Sequence, residues 1–347
     1  MSNEFKKFLE LNRQISREEA KKAFAMIADG LVNNEDIKNF LIQINKIENP
    51  DQNEYSLNYL NYLYGAISAF KDKMIKIKAP KGTMDVCGTG GDGLNTLNIS
   101  TAVAFVVAAC GVPVAKHGNK AVSSLSGSAD IFSALKIDIN LSKEKAEECL
   151  EKNNLVFLFA PLYHPAFKYV AQARRELGVK TIFNYLGPVL NPAQVKFQLI
   201  GCSNRKIVNS LIAASSIFGS INCSAIHADD GMDEISISSN STIFTKSPLG
   251  TAAKTLETII DPEKYGFKKV DKSFIEGKTP EFNAIKLVEL LKGDKSAYYD
   301  IVVLNAALAL TTSGKSLSFE LEAIKMAEEA INSGKAFKVL ENLQNFK

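Results

Sequence analysis

Apolar and polar positions divide the chain into two grammars. Up to about residue 70 the pattern is helical throughout. Ser16-Arg17-Glu18-Glu19 has the spacing of a capping box, and Ala20, Ala23, Phe24 and Ile27 then recur at helical intervals. A second helical pattern covers 36–47 and is ended by Asn49-Pro50. A third runs from about Glu54 through Leu57, Leu60, Leu63, Tyr64 and Ile67. The lysine-rich stretch 71–78, stopped by Pro80 and Gly82, reads either as a crossing between domains or as a solvated helix end.

After Gly82 short β-rich runs alternate with helical windows. Strands are expected at 83–87, 112–116, 155–159, 181–186, 197–202, 224–227 and 242–245. Helices are expected from Ser100, over 165–177 closed by Gly178, and over 206–218. Such alternation argues for an α/β sheet with helices on its faces. From about Asn283 the pattern is helical again, with Ser318 as an N-cap and Gly334 as a stop.

Composition narrows the function. A length of 347 residues suits roughly two domains at about 150 residues each. With 46% hydrophobic and 23% charged residues, disorder and low-complexity character are excluded. A formal net charge of +3 gives no reason to expect nucleic acid or an anionic membrane as partner. The longest apolar stretch, 102–110, is interrupted at Gly111 and Pro113, short of the ~18 residues of a spanning helix. The opening residues mix acids and bases with no apolar core, so no signal peptide is expected. Five scattered cysteines without a C-x-x-C argue against disulfides and a cysteine zinc site, and fit a reducing cytoplasm. Three distant histidines form no H-E-x-x-H. The chemistry is left to oxygen and backbone groups.

The richest segment is Cys87-Gly88-Thr89-Gly90-Gly91-Asp92-Gly93, which follows the first expected strand. Its glycines let the backbone approach an anion without Cβ clashes. Asn98, Ser100 and Thr101 then open an apolar helix, so hydroxyls and free backbone N–H groups should converge on a phosphate. Gly88-x-Gly90-x-x-Gly93 matches the dinucleotide fingerprint, but 110–129 holds none of the acidic residues that would meet a ribose. No Gly-Lys-Ser/Thr closes the loop, and Ser313-Gly314-Lys315-Ser316 has Ala309 where a Walker loop needs its first glycine. A second donor-rich loop follows the next strand: Lys116-His117-Gly118-Asn119-Lys120-Ala121-Val122-Ser123-Ser124-Leu125-Ser126-Gly127-Ser128. It suits a polyanion that also carries sugar hydroxyls.

Both loops, followed in order by His164-Pro165-Ala166, Arg174-Arg175-Glu176-Leu177-Gly178, Thr181-Ile182-Phe183-Asn184, Leu186-Gly187-Pro188 and Asn191-Pro192, resemble anthranilate phosphoribosyltransferase. The resemblance spans nearly the whole chain. It departs at Leu97, usually phenylalanine, at Lys120 and Lys180, usually arginines, and at the atypical Asp229-Asp230. The resemblance implies transfer of a phosphoribosyl group from phosphoribosyl pyrophosphate to anthranilate, with release of pyrophosphate, in tryptophan biosynthesis. It implies an α/β protein: a small N-terminal helical domain, 1–70 with part of 165–177 packing on it, and a large domain, 71–347. A central, mostly parallel sheet flanked by helices would form the large domain, with the active site in the cleft between the two. It further implies a cytoplasmic homodimer.

Residue by residue, Gly88, Gly91, Asp92, Thr96, Asn98, Ile99, Ser100 and Thr101 match the first phosphoribosyl pyrophosphate loop. Lys116, His117, Gly118, Asn119, Lys120, Ala121, Val122, Ser123, Ser124 and Ser128 match the second. Lys116 and His117 are the candidate catalytic groups. Gly88, Asn119 and Arg174 match positions that touch anthranilate. Arg174 has independent support, since arginine is scarce here and a guanidinium fork suits a flat carboxylate. Asp233-Glu234, with Ser100, matches the site for Mg²⁺, which binds through a few carboxylates together with substrate phosphates. Two rival readings are a pyrimidine nucleoside phosphorylase of the same fold and a non-catalytic relative that binds nucleic acid. The lysine cluster at 71–81 is the sole support for the latter.

Overall fold

The computed structural model describes residues 3–9, 14–47, 56–121, 125–246 and 255–347. Two units divide the chain, one from Met1–Ile75 with Pro161–Leu190 and one from Lys76–Ala160 with Asn191–Lys347. In the first, helices Arg17–Ala28, Asn34–Ile47 and Leu57–Asp72 carry the periodicity read from the sequence. The capping box forms: Ser16 Oγ accepts from the Glu19 N–H at 3.2 Å, and the Glu19 carboxylate accepts from the Ser16 N–H at 3.0 Å. The stop at Asn49-Pro50 and the start near Glu54 lie outside the described residues.

A Cβ on Gly65 would lie 2.6–2.8 Å from Ala20 and Lys21, so the first and third helices cross at close range. The chain returns to this unit through the Lys168–Leu177 helix, which ends at Gly178 with φ +63°. Phe167 and Phe183 then join Phe24 and Phe70 in an edge-to-face aromatic core, with centroids 4.7–5.9 Å apart. The strand expected at 181–186 is instead a short 3₁₀ turn, Ile182–Tyr185. Asn184 closes it locally: its side-chain oxygen takes the Thr181 N–H, and its own N–H bonds the Thr181 carbonyl, both at 2.9 Å. That local bonding overrides the β-propensity of Thr181 and Ile182.

The second unit is built on a seven-stranded sheet. Its strands are β1 Met84–Gly88, β2 Val114–Gly118, β3 Leu155–Phe159, β4 Phe197–Gly201, β5 Asn222–Ala228, β6 Ser241–Lys246 and β7 Thr255–Ile260. The order is β3-β2-β1-β4-β5-β6-β7, parallel through β5 and antiparallel at β6 and β7. Helix Ile99–Ala109, apolar all round, and helix Ala297–Thr312 are buried almost completely, as expected of core helices.

β2 begins two residues later than the sequence pattern suggested, because Gly111 and Pro113 still belong to the turn. The elements that went unforeseen include β7, an edge strand with mostly exposed side chains, and helix Lys143–Asn153, whose polar face obscures its period. Ser318 precedes a π-type turn, Phe319–Ala323, and its carbonyl accepts the Ala323 N–H at 2.9 Å. Gly334, at φ +78°, separates helix Ile324–Asn332 from a last helix, Lys335–Asn345. Among the described residues, no helix is long and apolar enough to cross a membrane.

Candidate active site

The chain leaves β1 towards β2 and β3 on one side of it, and later adds β4 and β5 on the other. The ends of β1 and its neighbours therefore open a crevice where strand order reverses, the usual ligand position in open α/β sheets. Register places Gly88 beside Gly201 at the ends of β1 and β4. A Cβ on Gly88 would strike the Asp233 carboxylate, and one on Gly201 would strike the Asp233 backbone. The two bare Cα atoms thus make the space that Asp233 occupies.

The glycine loop continues through Gly90, Gly91 and Gly93 at φ +64°, +74° and +75°, a region side chains disfavour. Distant groups fix its path. The Thr89 N–H donates to the Gly201 carbonyl at 2.8 Å, the Gly90 N–H to Asp233 Oδ2 at 3.1 Å, and Ser203 Oγ to the Gly90 carbonyl at 2.9 Å. The loop leads into the N-terminus of the Ile99–Ala109 helix, where Asn98 makes no side-chain cap bond. Its amide is used elsewhere, donating to the Ser126 carbonyl at 3.2 Å and accepting from Asn283 at 3.0 Å. Thr101 is buried. Convergence at this helix start is therefore mainly a matter of backbone N–H groups, not of the Asn98 and Thr101 side chains.

These segments line a cavity of about 270 Å³. Of the expected residues, Gly88, Gly91, Asp92, Thr96, Asn98, Ile99, Ser100, Thr101, Lys116, His117, Gly118, Asn119, Ser128, Asp233 and Glu234 line it. Lys120 and Ala121 do not: Lys120 points to solvent, and the Ala121 N–H is held by Asp130 Oδ2 at 2.9 Å. Val122, Ser123 and Ser124 lie outside the described residues. Arg174 stands in the first unit, half-buried with its guanidinium 5.8 Å from the Phe183 ring centre, while Arg175 is exposed. Burial pushes the Arg174 pKa down. The sequence reading gave no contact to Asn95 or to Leu125, Ser126 and Gly127 of the second loop, and it missed Gly277, Lys278 and Asn283, all of which also line the cavity. Only a Gly-Lys pair ahead of the Thr279 cap and Pro280 could have signalled the last group.

Buried charge is concentrated at the cavity floor. Lys116, 2% exposed, donates to the Val86 carbonyl at 2.7 Å and to Ser100 Oγ at 3.1 Å. Desolvation lowers its pKa, opposed by Asp85, Glu234 and Asp233. His117 is also buried, and its backbone N–H reaches Asp85 Oδ1 at 3.3 Å. Desolvation, then the neighbouring Asp92, pushes Asp233 up to about 6. Glu234 is pushed well above the usual range by desolvation and by Asp233. No group of three His, Cys, Asp or Glu side chains among the described residues could by itself hold a metal. Asp92, Asp233, Glu234 and the Ser100 hydroxyl nevertheless line the same cavity as oxygen donors, with the Lys116 charge offsetting part of the acids' charge. That donor set fits Mg²⁺, a hard ion usually held by one or two carboxylates, water and substrate phosphates.

The sheet and the cavity at its switch point place the chain among ligand-binding α/β proteins, and residues 80–337 match the glycosyl transferase family, a/b domain. The anthranilate phosphoribosyltransferase of Methylocella silvestris is 38% identical over 333 residues, covering 95% of this chain and 90% of that protein. The crystal structure of anthranilate phosphoribosyltransferase from Thermus thermophilus superposes with a TM-score of 0.87 at 30% identity, covering 99% of both chains. The Saccharomyces cerevisiae enzyme in complex with phosphoribosyl pyrophosphate and Mg gives 0.85 at 27% identity, covering 98% of this chain and 95% of that one. This chain belongs to the anthranilate phosphoribosyltransferase family.

Proposed function

We propose that the protein transfers the 5-phosphoribosyl group of phosphoribosyl pyrophosphate to the amine of anthranilate, giving N-(5-phosphoribosyl)anthranilate and pyrophosphate in tryptophan biosynthesis. The observation that carries this reading is the cradle itself. A glycine loop, a helix start with no side-chain cap and two half-buried acids meet in one cavity at the sheet's switch point. The relatives support it over a nucleoside phosphorylase.

In this reading Gly91 and the first N–H groups of the Ile99–Ala109 helix hold phosphate oxygens through preorganised donors and the helix dipole, while Gly90 ties the loop to Asp233. Asp233, Glu234 and the Ser100 hydroxyl would hold Mg²⁺, with Asp92 beside them. When bound, the ion would neutralise charge that builds on the departing pyrophosphate. Lys116 supplies a fixed positive charge beneath the cavity and orients Ser100, since two of its three donors are engaged by Val86 and Ser100. Anthranilate's aromatic amine is unprotonated at neutral pH and needs no base before attack. Its nitrogen bonds C1 as the bond from C1 to the pyrophosphate oxygen breaks, and the proton it then sheds passes to the released pyrophosphate or to solvent, which leaves His117 a positioning role. By its family position Arg174 takes the anthranilate carboxylate through its fork, and Gly88 and Asn119 also match anthranilate-contact positions. Catalysis is then mainly positioning and electrostatics.

The five free thiols suit a reducing cytoplasm. Exposed Leu31, Leu57 and Val179 on the first unit would be covered in a homodimer. The direct test mixes purified protein with anthranilate, phosphoribosyl pyrophosphate and Mg²⁺ and follows loss of anthranilate fluorescence. Arg174→Ala should mainly raise the anthranilate KM, whereas joint Asp233→Ala and Glu234→Ala should mainly reduce turnover and its magnesium dependence. Wild-type kinetics in both variants would overturn the residue assignments.

A further inference from the structure

The cavity has a third wall, drawn from a segment that lies far beyond the glycine loop in sequence, at 277–283. Residues 275–277 pair with the exit of that loop. The Leu97 N–H donates to the Ile275 carbonyl at 2.9 Å, the Gly277 N–H donates to the Asn95 carbonyl at 2.7 Å, and Thr96 bridges Glu276. The fit is tight, because a Cβ on Gly277 would lie 2.5 Å from the Thr96 carbonyl oxygen.

Asn283, only 2% exposed, locks the next residue in place. Its Oδ1 accepts the Lys278 N–H at 2.8 Å and its Nδ2 donates to Asn98 Oδ1 at 3.0 Å. Asn98 in turn donates to the Ser126 carbonyl at 3.2 Å, so the amide chain ties all three walls together. This arrangement presents Lys278 at the cavity on a rigid backbone.

Charge gives the wall its purpose. The described lining holds three carboxylates, Asp92, Asp233 and Glu234, and two lysines, Lys116 and Lys278. The Lys116 ammonium is bound to Val86 and Ser100. That of Lys278 rests 5.1 Å from the Phe282 ring centre, a contact weak enough at an exposed site to yield to an anion. A ribose carrying a monophosphate and a diphosphate needs several positive partners, and a lysine serves as a mobile point charge for phosphate. We propose that Lys278 binds a phosphate group of the substrate, which makes 275–283 a third substrate-binding segment beside the two loops. This inference rests on the phosphoribosyl pyrophosphate reading of the site.

The test is calorimetric titration of wild type, Lys278→Ala and Lys278→Arg with Mg²⁺-pyrophosphate and, separately, with ribose 5-phosphate. Lys278→Ala should weaken one of the two about tenfold, identifying which phosphate it meets, and Lys278→Arg should stay within about threefold of wild type. In steady state the KM for phosphoribosyl pyrophosphate should rise by the same factor while that for anthranilate changes less than about twofold. If wild type binds both probes and Lys278→Ala binds them equally well, the role of Lys278 is refuted and the cradle stands. If wild type binds neither, the reading of the cradle falls with it.

Discussion

The loop after β1 takes its shape from residues remote in sequence: Gly201 at the end of β4 and Ser203 beyond it, Asp233 after β5, and the 275–277 segment at its exit. The described ends of the loop after β2 are held mainly by their own neighbours, with one bond from Asn98 to the Ser126 carbonyl. Asp130 accepts the N–H groups of both Ala121 and Gly127 at 2.9 Å, and the Asn119 carbonyl takes the Ala129 N–H at 3.1 Å. The first loop can therefore form only once much of the sheet has assembled, whereas a turn of helix Ser128–Ala134 suffices to set the described ends of the second. Substitutions that disturb the first loop should do so from a distance, and those that disturb the second should act in place.

The sharpest way to break this contrast is Gly201→Ala. Its Cβ would displace Asp233, which holds both the glycine loop and one end of the acid pair. We expect kcat/KM to fall by about a hundredfold, as for an ångström-scale misplacement of reacting groups. Thermal denaturation should show a protein still folded, less stable by about 1–3 kcal/mol from overpacking. Asp130→Ala comes next. Two N–H groups lose their acceptor, at roughly 1–3 kcal/mol of stability. The KM for phosphoribosyl pyrophosphate should rise roughly fivefold while the Mg²⁺ dependence stays as in wild type. Ser203→Ala should have the smallest effect. Thr89 keeps its backbone bond to Gly201, so the loss is about 0.5–1.5 kcal/mol in chemical denaturation. Should Asp130→Ala prove more damaging than Gly201→Ala, the contrast between the loops would be reversed.

The same contrast explains what could be read from the sequence. Short-range signals were legible: the Ser16 capping box, the Gly178 stop, the alternation that gave an α/β sheet, and the glycine loop ahead of an apolar helix. Family resemblance then supplied Asp233-Glu234, a pair with no local signal of its own. What escaped has no local signature. Lys278 and Asn283 reach the cavity only because Gly277 pairs with Asn95 across the fold. The expected role of the Asn98 side chain changed for the same reason, since its partners Ser126 and Asn283 come from elsewhere in the chain. The misread strand at 181–186 shows the converse, a local Asn184 turn prevailing over β-branched propensity.

The most direct trial of the whole account is a crystal structure of the protein soaked with phosphoribosyl pyrophosphate and Mg²⁺. The diphosphate should lie against Gly90, Gly91 and the Ser100 helix start, with the cation bridging it to Asp233 and Glu234. Density for the diphosphate at any other place, with this cavity holding only solvent, would contradict the account.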